Sequence, residues 1–503
     1  MSKLNTMADR KAALKSMYGM EQFNNKILII GYGSIGTGIL PLLIKIVKMD
    51  LSQITIIEKD KKRFTNIKEL YKINKIKKSD QKINKVKVKL DRLNIKRIII
   101  DRLKMGQDDL IIDCSYEIST KFMYDLCAEH GISYTNSAVE VWEDDMSRPM
   151  AEYSYANLMK EVEDSDLQFK KKKNNFIYGL GCNPGNVNIW TMYALDKIKE
   201  NTNKNLKSDS YADLANKLGL RVVHVAEVDS QITNNPKRDN EYVNTWSSDG
   251  ASWFGEAYSW IELGWGTHEK TMPASVSKDL HSDVSITIER LGALTWARSY
   301  TPINKNLFGL MIPHEECYSI ARTLSLRDNK NNIIYKPSCY YVYKPCDSSL
   351  ASLYEIAEKM DVNNFNGEMQ KNKRLMTDDI IEGKDELGCT LFFNNGEIYW
   401  VGSLLDIEEA RGLYDNKFDS IINATLMQVL AGYMGGILYL IKNIKKKEYS
   451  GLLSPQDLPI HQFMKWTRPL LGPFVCTKVK DWTVKARDGK ESTWQFEDFA
   501  ELN

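Results

Sequence analysis

The sequence predicts an α/β protein: an N-terminal Rossmann-type domain, with a doubly wound parallel sheet, joined to a second mixed α/β domain. Three observations predict it. An apolar run, Lys26-Ile27-Leu28-Ile29-Ile30, ends in the turn Gly31-Tyr32-Gly33-Ser34-Ile35-Gly36 and passes into an apolar helical stretch, Ile39 to Val47. A second run, Ile54-Thr55-Ile56-Ile57, closes on Glu58, and short apolar runs then alternate with helical patterns to about residue 145. The chain has 503 residues, more than one core supports, so two domains are expected.

The first element carries the most information. A lone G-x-G-x-x-G is a weak signal, but strand, turn, helix, strand and acid in this order form a dinucleotide fingerprint. Gly31 permits the tight turn, Gly33 lets the backbone approach a pyrophosphate, and Gly36 lets helix and strand pack closely. Ser34 and Ile35 complete the turn, whose helix N-terminus offers open N–H groups to phosphate. A carboxylate at Glu58 accepts hydrogen bonds from a free ribose 2′-hydroxyl and repels a 2′-phosphate, so the expected cofactor is NAD. Lys59, Lys61, Lys62 and Arg63 lie nearby, and a basic side chain there would suit NADP.

Downstream, Ile98-Ile99-Ile100 reads as a short strand or helix end, Leu110 to Cys114 as a strand, Lys121 to His130 as a helix and Ile132 to Asn136 as a strand. Residues that follow parallel strands sit at the carboxyl edge, where ligands bind, which places Ser115, Glu117, Ser137 and Glu140 near the cofactor. The polar stretch Glu161 to Asn175 reads as a joint, giving domains 1–165 and 166–503, with the C-terminal helices packing back on the first. Ile177 to Gly185 then reads as a strand breaking into a turn ahead of the helix Val187 to Ile198. Asn201 to Ser210 reads as a surface loop. Leu220 to Val225 and Val284 to Ile288 are strands of the second domain.

Composition excludes several classes. Hydrophobic residues make up 43% and charged residues 27%, ordinary globular values. The net charge of +2 gives no field for nucleic acid, and the lysine runs Lys170 to Lys173 and Lys445 to Lys447 read as solvated loops. Eight cysteines without C-x-x-C pairs or metal spacing, and a start lacking an apolar secretory segment, predict a cytoplasmic protein with no metal site. Ala424 to Ile441 is uncharged and about the minimum length for a membrane span. Gln428, Gly435, Gly436 and the lack of a second such segment favour a buried core or dimer-interface helix instead.

Between Glu227 and Glu269 the chain carries Glu227, Asp229, Glu241, Asp249, Glu256, Glu262 and Glu269 among Trp246, Trp253, Trp260 and Trp265. A surface explains the acids but not the tryptophans, and a core explains the tryptophans but not the acids. A pocket for an organic cation explains both, since an indole face attracts an ammonium and carboxylates neutralise it.

Asn183-Pro184-Gly185, Asn244-Thr245-Trp246-Ser247, Glu256, Glu262-Leu263-Gly264-Trp265-Gly266-Thr267-His268-Glu269, Ile312-Pro313-His314-Glu315-Glu316, Asp385-Glu386-Leu387-Gly388 and Tyr399-Trp400-Val401-Gly402-Ser403 stand in an order that resembles the bacterial-type homospermidine synthases. That family is similar in fold to the saccharopine dehydrogenases. The resemblance implies a reaction without net redox change. Putrescine is oxidised by tightly bound NAD, the imine exchanges ammonia for a second putrescine, and the hydride returns to give homospermidine.

It also implies roles. Trp246 would hold the reacting cation, and Glu256 would pair with it and accept its proton. Glu117 and Glu140 would bind a distal amine, Glu227, His314 and Glu316 would complete the pocket, and Asn183 would lie near the nicotinamide. His268, Glu262 and Glu269 are read as anchors of their loop. A homodimer is expected from the resemblance. The chain departs from the family pattern in a slightly longer stretch between Trp246 and Glu256 and in Pro-His-Glu-Glu, where a glycine is expected after the histidine. The alternative is a saccharopine- or carboxynorspermidine-type dehydrogenase, which needs arginines for a substrate carboxylate, Arg298 and Arg322 being the main candidates. A non-enzymatic Rossmann protein would leave the array of acids and tryptophans unexplained.

Overall fold

The computed structural model describes residues 4, 6–65, 67, 70, 82–116, 118–142, 154–247, 257–278, 280–359, 372–414, 421–486 and 489–502. Strand β1 (Ile27–Ile30) is buried at every position, as its unbroken apolar run requires of a parallel strand covered on both faces. Helix α1 (Ser34–Ile46) follows the glycine turn, and then come β2 (Ile54–Glu58), β3 (Asn84–Lys87), β4 (Leu110–Asp113), α2 (Thr120–His130), β5 (Ser133–Asn136), α3 (Tyr155–Gln168) and β6 (Asn175–Ile177). All six strands pair in parallel, in the order β6-β5-β4-β1-β2-β3, and a seventh, Gly451–Leu453, adds to β6. The chain therefore winds in two directions from the β1/β4 junction, the switch point at which such sheets open a ligand crevice beyond their carboxyl ends.

Of the two readings of Ile98 to Ile100 the helical one holds: they lie in the helical turn Arg97–Arg102. The expected joint needs correcting. The polar stretch from Glu161 is no loose joint: it continues α3 and leads into β6, so the parallel sheet extends past residue 165. Lys170 to Lys173 do lie in the connection between them.

The second sheet is mixed and has eleven strands. After helix α4 (Asn186–Thr202), its central strands are β7 (Leu220–Asp229), β8 (Trp260–Gly264), β9 (Ser285–Leu291), β10 (Ser338–Lys344), β11 (Lys384–Phe393), β12 (Ile398–Asp406) and β13 (Phe474–Lys478), in the spatial order β9-β8-β10-β7-β11-β12-β13. Helix α5 (Glu315–Thr323) precedes β10. Strand period two sorts the side chains of β7. Val222, Ala226 and Val228 face a core that also holds Trp400 and Phe392, while Val223 and Val225 face the main core. Glu227 and Asp229 share the parity of the second set.

Helix α6 (Ala424–Lys446) is long and apolar enough to cross a membrane, but 89% of its most apolar window is buried inside the fold, so it is a core helix. Its glycines explain how it sits there. A Cβ at Gly432 would stand 1.8 Å from the Gly181 carbonyl oxygen, and one at Gly436 2.0 Å from Leu180. Leu430 of the same helix packs against Gly38 of α1. The helix thus locks the start of the second domain to the parallel sheet, and its first turn reaches the crevice.

Candidate active site

One crevice, with a cavity of about 330 Å³, runs from the glycine turn to the carboxyl ends of β7 and β10. At its cofactor end Gly31 has φ +80°, and a Cβ there would lie 2.8 Å from the Cys114 carbonyl oxygen; one at Gly36 would lie 2.2 Å from the Gly31 carbonyl oxygen. Both positions demand glycine. Gly33 caps α1 without any side-chain hydrogen bond, so the first-turn amides remain for a phosphate. Gly33 and Ile35 line the crevice, with Arg63 Nη1 2.8 Å from where a Gly33 Cβ would be.

Glu58 is 4% exposed at the end of β2. It accepts hydrogen bonds from Tyr32 N at 2.8 Å and Asp60 N at 2.9 Å, and Arg63 stands 3.8 Å away. A carboxylate thus sits where a ribose hydroxyl would be read, with its lone pairs beyond those two bonds still open. Ser115 donates its hydroxyl to Asp113 at 2.5 Å, and Tyr134 donates to the other oxygen of that carboxyl, whose pKa burial pushes up to about 6. Ser137 lines the crevice beside the Tyr433 hydroxyl. Glu140 lines it too, held by reciprocal hydrogen bonds of its backbone with Thr120.

At the other end Glu227, near the end of β7, is 3% exposed. The Tyr341 hydroxyl donates to its Oε2, and Asn183 Nδ2 approaches the same oxygen at 3.3 Å. Burial pushes the Glu227 pKa up to about 8; the Tyr341 bond and His314 oppose this, while the charges of Asp229 and Glu316 add to it. His314 Nδ1 faces Glu316 Oε2 at 2.6 Å. Trp246 lines the crevice and is half-buried. Its neighbour Thr245 donates to Asp229 Oδ2 at 2.7 Å and accepts from Asn423, the cap of α6. Asp385, opposite Asp229 across β7 and β11, takes a hydrogen bond from Gln428 at 2.9 Å, and burial drives its pKa well up.

The structure therefore brings Gly31, Gly33, Ser34, Ile35, Glu58, Ser115, Ser137, Glu140, Asn183, Glu227, Trp246 and His314 onto one wall. Gly36 and Glu316 stand behind it, Gly36 shaping the turn and Glu316, fully buried, partnering His314. Glu117 and Glu256, with Asp249 and Trp253, lie outside the described residues. The wider array divides by function. Glu241 pairs with Arg374, and Glu269 accepts from Ser338 and Phe496 N. Glu262 accepts the N-terminal amides Tyr155 N and Ala156 N of α3. Trp265 belongs to a core, and Trp260 sits at the start of β8. One cation pocket does not account for these residues, because an ion pair with Arg374 takes Glu241 and helix N-terminal amides take Glu262 and Glu269. His268 faces the Trp494 carbonyl at 2.8 Å, a structural bond. Arg298 pairs with Glu501 and Arg322 with Glu163, and neither lines the crevice.

Sequence reasoning passed over Tyr341, Tyr343, Glu315 and Thr425, which also line it. The one available signal was register: Tyr343 pairs with Glu227 and Tyr341 with Val225 on adjacent parallel strands, so both share the Glu227 face. Among the described residues no group of His, Cys, Asp or Glu is arranged to hold a metal.

Comparison with known proteins agrees with this geometry. Residues 27–174 match the family model of the saccharopine dehydrogenase NADP binding domain and residues 181–454 that of the saccharopine dehydrogenase C-terminal domain. The chain is 29% identical over 474 residues to homospermidine synthase of Blastochloris viridis, covering 92% of each, and 28% identical over 512 residues to that of Mesorhizobium japonicum, covering 95% and 96%. The crystal structure of the homospermidine synthase of Legionella pneumophila in complex with NAD superposes with a TM-score of 0.81 at 29% identity, covering 96% of this chain and 99% of the other. Matched by these two domain models over most of its length, the chain belongs to the saccharopine dehydrogenase family.

Proposed function

We infer that the chain is an NAD-dependent homospermidine synthase, an aminobutyl transferase that condenses two putrescines with release of ammonia. The observation that carries this is the meeting, in one crevice, of a dinucleotide turn with Trp246, Glu227 and His314. The residues fit NAD: open first-turn amides for the pyrophosphate and a carboxylate at the ribose position. A bound NAD supplies the sink for the hydride in the first step and its source in the last.

The protein's share is binding, proton handling and exclusion of water. Trp246 offers an indole face to the ammonium, worth on the order of 2 kcal/mol when desolvated. Glu227 accepts the proton of the amine whose carbon is oxidised, and the His314–Glu316 pair adds a second polar contact beside it. Asn183 holds Glu227 in place and Glu140 lies toward the far amine. Glu117 takes its role from the motif match, and Glu256 that of pairing with the reacting ammonium, the proton going to Glu227. The burial of Glu227 and Tyr341 keeps water from the imine until the second amine replaces ammonia. Arg298 and Arg322 are engaged elsewhere, which leaves the rival carboxylate-bearing substrate without its expected clamp. Eight unpaired cysteines support a cytoplasmic protein, and a homodimer follows from the family resemblance.

The test is product analysis. Pure protein with putrescine and NAD is expected to yield homospermidine and ammonia in equal amounts without steady build-up of NADH. Accumulating NADH with no triamine would move the assignment to a dehydrogenase.

A further inference from the structure

Ser34 follows the second glycine of the turn, in the first turn of the helix whose amides are offered to phosphate. Its hydroxyl does something else in this structure: it donates to the Trp246 carbonyl at 3.1 Å, across 212 positions of sequence. A serine hydroxyl has one proton to give. The bond falls on Trp246, which lines the crevice and to which the substrate cation is assigned, one position beyond Thr245, which Asp229, Asn244 and Asn423 already hold. Thr245 is therefore anchored to the second domain, whereas the Trp246 carbonyl is tied to the cofactor turn.

We propose that Ser34 is a positioning residue for the substrate cation: its hydroxyl sets the backbone of Trp246, and through it the indole face, relative to the cofactor turn. This rests on the reading of the crevice as a site for a dinucleotide and a diamine. Phosphate is left to the backbone amides of the first turn of α1, where Gly33 provides no side-chain cap. Cofactor and diamine thus meet at one residue that serves the diamine.

The test separates the two affinities. NAD is titrated by calorimetry into cofactor-stripped protein, and putrescine into the NADH complex, in which no hydride can leave the diamine. The variants are Ser34→Ala and Ser34→Thr, with melting temperatures recorded for both. Ser34→Ala is expected to weaken putrescine roughly tenfold, the size of one lost hydrogen bond, while NAD affinity changes less than about threefold. Ser34→Thr, which keeps the hydroxyl, is expected to restore putrescine binding. A Ser34→Ala variant that loses NAD and keeps putrescine, or loses both equally, would overturn the proposal, as would failure of the threonine to restore binding. If the wild-type protein bound neither ligand, the functional reading itself would fall.

Discussion

Removing the Tyr341 hydroxyl is expected to move the pH profile of the reaction, because that hydroxyl bonds the carboxyl assigned as the base. Burial holds the Glu227 pKa near 8, and the Tyr341 bond works against burial by favouring the ionised form. A hydrogen bond to a charged group contributes about 1.5–3 kcal/mol, and about 1.4 kcal/mol is tenfold in a proton equilibrium. Tyr341→Phe should therefore raise the midpoint by about one to two pH units. Since the base must be deprotonated, kcat/KM for putrescine should rise with pH through about 8 in the wild type and correspondingly later in Tyr341→Phe. Glu227→Gln should abolish this limb together with most of the activity.

A second measurement uses stability. A carboxyl whose folded pKa is raised contributes stability that is complete below its unfolded pKa and is lost as pH rises through the folded one. From the ordinary glutamate range to about 8, the loss is on the order of 5 kcal/mol. Glu227→Gln never ionises, so it should melt close to wild type at pH 5 and above it at pH 9. Superimposable kcat/KM profiles for wild type and Tyr341→Phe, or a Gln variant less stable than wild type at pH 9, would refute the reasoning.

Further outcomes are expected at three sites. Glu58→Ala should weaken NAD by about 1.5–3 kcal/mol and narrow its advantage over NADP in paired calorimetric titrations; equal affinities for the two in the wild type would defeat the role given to Glu58. Trp246→Phe should retain part of the activity while Trp246→Leu and Trp246→Ala lose most of it, because only an aromatic ring keeps a negative face; a fully active Leu variant would show that Trp246 merely packs. Gly432→Ala would press a methyl against the Gly181 carbonyl, and denaturant melts should show a loss of about 1–3 kcal/mol with reduced activity, since Gly181 to Pro184 line the crevice.

Local signals carried the cofactor end. Strand, turn and acid lie within about thirty residues, and Gly31 and Gly36 could be read because their roles depend on backbone that is near in sequence. The edge of the same sheet could not be read so: Gly451–Leu453 has three residues, no period to detect, and a partner nearly 280 positions away. The acids show the opposite difficulty. Glu227 and Glu262 both sit in buried strands amid apolar neighbours, and nothing local distinguishes a crevice carboxyl from one that receives the amides of a distant helix. Tyr341 and Tyr343 were hidden because Ser338–Lys344 is buried at six of its seven positions, so its aromatic residues read as packing on either face. Only the register with β7 reveals which face they share with Glu227.

The acids beneath the crevice look costly without their substrate. Glu227, Asp229 and Asp385 lie on neighbouring strands, each buried and each with a raised pKa, and Asp385 Oδ1 has no hydrogen-bond partner among the described residues. A diammonium ion reverses the balance, since an opposite charge nearby favours the ionised form that burial disfavours. Binding the cation and ionising Glu227 are then linked, and each favours the other by the same factor. The substrate prepares its own base. The free enzyme's pKa appears in kcat/KM and that of the loaded enzyme in kcat, so the limb in kcat should lie below the limb near 8 seen in kcat/KM. Measuring both from one set of progress curves between pH 6 and 10 decides the matter, and coincident limbs would mean that the cation binds too far from Glu227 to act on it.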